Sequence, residues 1–170
     1  MEYRFGPNKP KFTGTDEEWE KAGKNKQPAW CYYNNDPANG AKYGKLYNWY
    51  AVNDPRGLAP KGWHVPSDDD WFILRDYLGG KEIAGSKMKS ETDWARSGNG
   101  TNRRGFSGLP GGFRGSHGPF YGIGGYIQWW SSSEFDIARA WDCRLYYNSS
   151  SVERWDGGKG FGSSVRCIKD

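Results

Sequence analysis

Between residues 141 and 147 the chain alternates, with Trp141, Cys143, Leu145 and Tyr147 on one parity and Asp142, Arg144, Tyr146 and Asn148 on the other. Successive side chains of an extended chain point to opposite sides, so this period of two predicts a strand with one face in the core and one in water. Ser149, Ser150 and Ser151 follow, and their short hydroxyl side chains bond to nearby backbone and suit a turn before a second run at residues 152–155. The two runs form a hairpin in which Val152 points inward while Glu153 and Trp155 emerge. Arg154 shares the inward parity. It therefore needs a carboxylate, with Glu134 the candidate, or an edge where it meets water, since an unpaired buried guanidinium is too costly.

Helical spacing appears twice. Thr15 with Glu18 three residues on is the reciprocal pattern of a capping box, Asp16, Glu17 and Glu18 put negative charge where a helix start favours it, and Gly23 marks the end. After Pro66, Ser67 caps a second helix whose first turn holds Asp68, Asp69 and Asp70. Its Trp71, Leu74, Tyr77 and Leu78 share one face before Gly79 and Gly80 stop it. The aromatic run at residues 43–52 suits either a buried strand or a short helix. Residues 2–5 suit an edge strand closing on a C-terminal strand at residues 164–168. Residues 98–125 hold eleven of the 25 glycines and read as long surface loops.

Composition alters the picture of the core. Only 35% of the 170 residues are hydrophobic, yet 10 Trp, 11 Tyr and 8 Phe make 17% of the chain aromatic, so the core must be built from a few large rings. That aromatic content also sets aside disorder, which the low hydropathy alone would suggest. The length suits a single domain over residues 1–170, with Trp63, Trp71, Trp130, Trp141, Leu145 and Val165 expected together at its centre. Charge adds little: the net +4 is spread along the chain without a basic block, so no nucleic-acid footprint is expected. No apolar run is long enough for a membrane span, and Met1 is followed by Glu2, Tyr3 and Arg4 without the apolar core of a signal peptide. For an exported protein, a targeting segment would be missing from this chain. Cys31, Cys143 and Cys167 allow one disulfide, and both a Cys31–Cys167 bridge and buried free thiols fit.

Candidate chemistry is sparse. Asn34, Asn35 and Asp36 offer oxygen ligands for calcium, but they lack the ligand spacing of a calcium loop and read as Asx turns. The three aspartates at 68–70 read as a charged helix start, not a metal site. His64, between Trp63 and Val65, reads as a hydrogen-bonded core residue, and His117, among glycines, as an exposed turn. The glycines of 98–125 lack the Lys and Ser/Thr of a phosphate-binding loop. No cofactor or metal is expected. What stands out is the outward face of the hairpin, where an acid, a base, an amide and large aromatics lie together, more than solubility requires.

The strings CYYNND, YGKLYNWYAV, GLAPKGWHVPSDDDW, AGSKMK, GFSGLPGGFR, WWSSSE and SVRCIKD, in this order, resemble the Fibrobacter succinogenes major paralogous domain, found in Bacteroidetes and some phages. The resemblance implies an α+β, C-type-lectin-like fold related to formylglycine-generating enzymes, with two short helices, a small twisted antiparallel sheet, long Gly-rich loops and paired termini. It further implies a ligand-binding module at the cell surface, outside the cell or on a virion. Residues 129–170 would present the ligand site, in the manner of the variable proteins of diversity-generating retroelements. Trp130, Ser131, Glu134, Trp141, Leu145, Tyr147, Val152, Arg154, Gly162, Ser164, Val165, Arg166 and Cys167 would be its fixed positions. Variation on a solvated hairpin also has a plain reading as drift.

On this reading the ligand, a protein or a glycan, meets Asp142, Arg144, Tyr146, Asn148, Ser149, Ser150, Glu153, Trp155, Asp156 and Phe161. Replacing Arg144, Tyr146 and Trp155 together by alanine should then abolish binding and leave the melting temperature nearly unchanged. The tripeptides of calcium-dependent sugar sites are absent. The alternative is an oxidase of the formylglycine-generating type, which would need a redox pair near the C-terminus. Cys143 and Cys167 are the only candidates, and Cys143 lies where the family pattern has no cysteine, so binding is the better reading.

Overall fold

The structure, a computed structural model, describes residues 10–170, so the strand expected at residues 2–5 lies outside the described residues. The first element is β1 (Lys11–Phe12), followed by α1 (Asp16–Lys24). Thr15 caps α1 by accepting from the Glu18 amide at 3.1 Å, while the Glu18 carboxylate reaches the Gly14 amide, one residue short of the reciprocal bond expected. Next come β2 (Ala29–Cys31), α2 (Pro37–Tyr43), β3 (Leu46–Tyr47) and α3 (Trp49–Val52), so the aromatic run at 43–52 yields both a strand and a helix. Asn34 and Asn35 adopt positive φ in the turn before α2, Asp36 caps Ala38, and the Asn35 amide donates to the Gly14 carbonyl. Of the three, Asp36 forms the expected Asx turn, while Asn35 ties the turn to the residue before Thr15.

After β4 (Trp63–His64), Ser67 and Asp70 form a complete capping box at the start of α4 (Asp68–Tyr77), and Trp71 and Leu78 are buried as the spacing predicts. Tyr77 departs from that face and is 66% exposed. A helix that the sequence did not announce, α5 (Lys81–Met88), follows directly from Gly80 without a side-chain cap. The α+β class holds, with five α-helices among the described residues where two were expected. The additional ones are short or lack a clear apolar stripe, so periodicity does not reveal them.

The glycine-rich stretch is not all loop. It contains β5 (Gly111–Arg114) and β6 (Phe120–Ile123), which join β7 (Tyr126–Glu134), β8 (Arg139–Tyr146) and β9 (Glu153–Gly158) in a five-stranded sheet of order β6-β5-β7-β8-β9. The β5–β7 pair is parallel and the others are antiparallel. A final strand, β10 (Ile168–Lys169), pairs with β4 and brings the C-terminus back to the middle of the chain.

One face of the sheet is covered and the other is covered over part of its area, which is the main departure from a half-wet hairpin. On one face Ile127, Trp129, Cys143, Leu145 and Val152 pack against Trp71 and Leu78 of the α4 segment and Met88 of α5. On the other, Trp130 and Ala140 pack with Tyr47, Trp49 and Val65. The single expected core is therefore split: Trp71 and Leu145 belong to the first cluster, and Trp130 to the second with Val165 at its margin. Trp63 is 44% exposed, and Trp141 is only half-buried, between Phe135 and the Arg154 guanidinium. Arg154 finds its carboxylate in Asp68 at 2.8 Å, not in Glu134.

Two lysines with little access to water hold the ends of β8. Lys89 donates to the Tyr146 and Ser149 carbonyls at 2.9 and 2.7 Å and lies over the Trp94 ring, and burial lowers its pKa. Lys159 donates to the Asp136 and Ile137 carbonyls and to Glu134, and lies over Trp49. His64 is exposed, not a core residue; it is bonded to Asp170 at 2.7 Å with Asp70 at 3.5 Å. His117 sits on its exposed turn, against Glu20. All three cysteines are free.

Candidate ligand-binding face

The antiparallel register places Tyr126 opposite Tyr146, Gln128 opposite Arg144, Asp142 opposite Trp155 and Arg144 opposite Glu153, so these side chains share the second face of the sheet. Phe113 and Tyr121, opposite one another on β5 and β6, continue it. Ring centroids run Tyr121–Phe113 at 5.3 Å, Phe113–Tyr126 at 5.3 Å and Tyr126–Tyr146 at 4.9 Å, and Phe161 joins Phe113 at 6.0 Å. Every strand of the sheet contributes a ring. Trp155 is 56% and Tyr121 is 49% exposed, while Phe113, Tyr146 and Phe161 are half-buried.

Asp142 departs from the expected outward position. It points to this face as its parity requires, but it is only 2% exposed, covered by Trp130, Gly157 and Arg144. Arg144 binds it through two bonds, Nε to Oδ1 at 2.5 Å and Nη2 to Oδ2 at 2.8 Å, and its own side chain is 12% exposed. Burial pushes the Asp142 carboxyl up to about 6, with the Arg144 bonds pulling the other way. Burial acts to lower the Arg144 guanidinium and its bonds to Asp142 more than offset it. Both directions leave an ionised pair at pH 7. Arg144 also lies 5.3 Å from the Trp155 ring centre. Below it the Tyr126 hydroxyl, its pKa raised by burial, donates to Gln128 Oε1 at 2.6 Å, and Gln128 donates to Ser163 at 2.5 Å.

The remaining expected site residues divide. Glu153 sits at the edge of the face, paired with Lys81 at 3.1 Å. Asp156 has the opposite parity, next to Trp141, and is bonded to Arg139, so it lies across the sheet from the aromatic face. Asn148 is exposed in the turn, while Ser149 accepts from the Ser151 amide and Ser150 donates to the Glu82 carbonyl of α5. The serines thus hold the turn to a helix. Phe113, Tyr121 and Tyr126 were not anticipated, because they lie among glycines or ahead of residue 129; the aromatic-every-few-residues pattern FRGSHGPFYG was the available signal.

Among the described residues no cluster of three or more His, Cys, Asp or Glu side chains is placed to hold a metal ion, and no helix is long and apolar enough to cross a membrane. The family model of the Fibrobacter succinogenes major domain matches residues 7–169. No curated protein and no solved structure matches the chain.

Proposed function

The chain belongs to the Fibrobacter succinogenes major domain family, and from that footing we propose that it is a ligand-binding module of C-type-lectin-like fold. Its ligand docks on the aromatic face of the five-stranded sheet. The observation that carries this reading is the continuity of that face: six rings and one guanidinium from five strands and the loop after β9, with Trp155 and Tyr121 left largely in water. Exposed rings and an arginine backed by a rigid sheet are the composition of interface hot spots. Nothing in the folding of the domain requires Trp155 to face solvent.

The positions open to exchange on this scaffold are Tyr146, Asn148, Glu153, Trp155 and Phe161, which suits diversification by a retroelement. Asp142 and Cys143 are buried and would be held fixed. A binder is also favoured over an oxidase by the thiols. Cys143 is enclosed beneath α4, Cys167 lies in the other cluster, and burial raises Cys31 to about 11 and raises the other two, so little nucleophilic thiolate forms at neutral pH.

The test is a comparison of the wild type with the Tyr121→Ala/Trp155→Ala variant on arrays of proteins and glycans. Binding lost in the variant, with the melting temperature within a few degrees of wild type, is expected. A ligand held equally well by both would place the site elsewhere. At the DNA level, diversification requires a neighbouring reverse-transcriptase gene and substitutions confined to template adenines; variation spread evenly along the gene would remove that part of the proposal.

A further inference from the structure

Arg144 is held in an unusual way for a surface arginine. Its Nε–Nη2 edge is fixed on the buried Asp142 carboxylate, and the Trp155 ring centre lies 5.3 Å away. Among the described residues no carboxylate pairs with its Nη1–Nη2 edge. Around it the other charges are neutralised in place: Glu153 by Lys81, and Asp156 across the sheet by Arg139. A guanidinium offers five donors in a planar fork, and one edge satisfies a carboxylate while the second can take another. Here the rotamer is already fixed, so a ligand would not bear the ordering entropy a flexible arginine imposes.

Resting on the reading of this face as the ligand site, we infer that the ligand is a protein that places an aspartate or glutamate carboxylate on the open edge of Arg144, inside a ring of apolar contacts from Tyr146, Trp155 and Phe113. A protein fits better than an acidic sugar because the rings that reach water are inclined to one another, 30° between Phe113 and Tyr121 and 44° between Phe113 and Phe161. They offer inclined faces to the side chains of a protein instead of a flat platform for a pyranose. Arg144 is then a specificity-determining residue, and Asp142 a positioning residue acting through it.

The experiment is an NMR titration of the whole chain, following the Trp155 indole N–H and the Arg144 Nε–H. The probes are the capped tripeptide acetyl-Leu-Glu-Tyr-amide, its Gln counterpart and free glucuronate. The Glu peptide should shift both signals saturably, and the Gln peptide should bind about tenfold more weakly or worse, the loss expected when a charge-assisted pair is replaced by a neutral one. In Arg144→Lys, which keeps the charge on Asp142 but not the planar fork, the preference for Glu over Gln should shrink. Equal binding of the two peptides at Trp155 would overturn the carboxylate inference while leaving the face as a binding site. Glucuronate matching the Glu peptide would overturn the choice of a protein ligand, and no shift of either signal with any probe would overturn the inference outright.

Discussion

The pair formed by Asp142 and Arg144 shows how a strand's parity can be right and its consequence wrong. Alternation correctly sets Asp142 opposite Cys143, yet a period of two cannot say whether the second face of a sheet is wet, and here Trp130 and Gly157 cover it. The triple alanine variant that leaves stability unchanged is therefore the wrong experiment. Arg144→Ala would orphan a buried carboxylate, and removing one partner of such a pair costs about 3 kcal/mol or more. The loss should be largest at neutral pH. Asp142 has a folded pKa near 6, above its ordinary 3.8, so the native state binds its proton more tightly than the unfolded state. Acidification through that window favours folding, and without Arg144 the shift is larger. Urea melts of Arg144→Ala at pH 7 and pH 5 should show part of the loss recovered at pH 5; a variant as stable as wild type at pH 7 would mean the carboxylate finds water or another donor.

At the scale of elements, what the sequence made legible was what carries a local chemical signature. Ser67 with Asp70, Thr15 with Glu18 and the serine turn at 149–151 all act as their side chains require. The elements it concealed, α5, β5 and β6, run through glycine, and α5 is held by contacts distant in sequence. Gly85 explains one of them. A Cβ there would lie 2.2 Å from the Ser151 carbonyl oxygen, so α5 approaches the β8–β9 turn as closely as backbone allows. Helix propensity alone favours Gly85→Ala by about 1 kcal/mol. Overpacking against a carbonyl that cannot rotate away opposes it by about 1 to 3 kcal/mol, and the clash is deep enough that the steric effect should win. Thermal melts should show Gly85→Ala destabilised, and a rise in melting temperature would mean the helix and turn can separate freely. The same distance in sequence hid half of the candidate face: Phe113 and Tyr121 meet Tyr146 only through the pairing of strands that glycines disguised.

Across the whole molecule, the C-terminus is tied to the middle of the chain by a titrating clip. His64 on β4 is held by Asp170 just beyond β10, and its pKa is raised first by that bond, with Asp70 adding to it. Burial acts to raise Asp70, but its Ser67 and His64 bonds hold it below its ordinary value. A raised histidine contributes stability that is full below about 6.5 and is lost as pH rises through the folded pKa. A lowered aspartate contributes above 3.8 and loses its part as pH falls through its folded pKa. The clip is therefore tightest between the two, in mildly acidic solution. An NMR titration should place the His64 midpoint above 6.5, and Asp170→Asn should bring it down; an unshifted midpoint in the wild type would mean the C-terminus is not docked.

The lysines at the two ends of β8 have a consequence for how such a domain can evolve. Lys89 and Lys159 grip the chain by peptide carbonyls at 146, 149, 136 and 137, and a carbonyl is the same whatever residue bears it. At those four positions the anchors are blind to the letters they hold. A library randomised at Tyr146, Asn148 and Trp155 should for that reason remain mostly folded, as judged by protease resistance, whereas the same library built on Lys89→Met should not. A gene under pressure to rewrite those positions inherits, in two ammonium groups lying over indole rings, permission to do so.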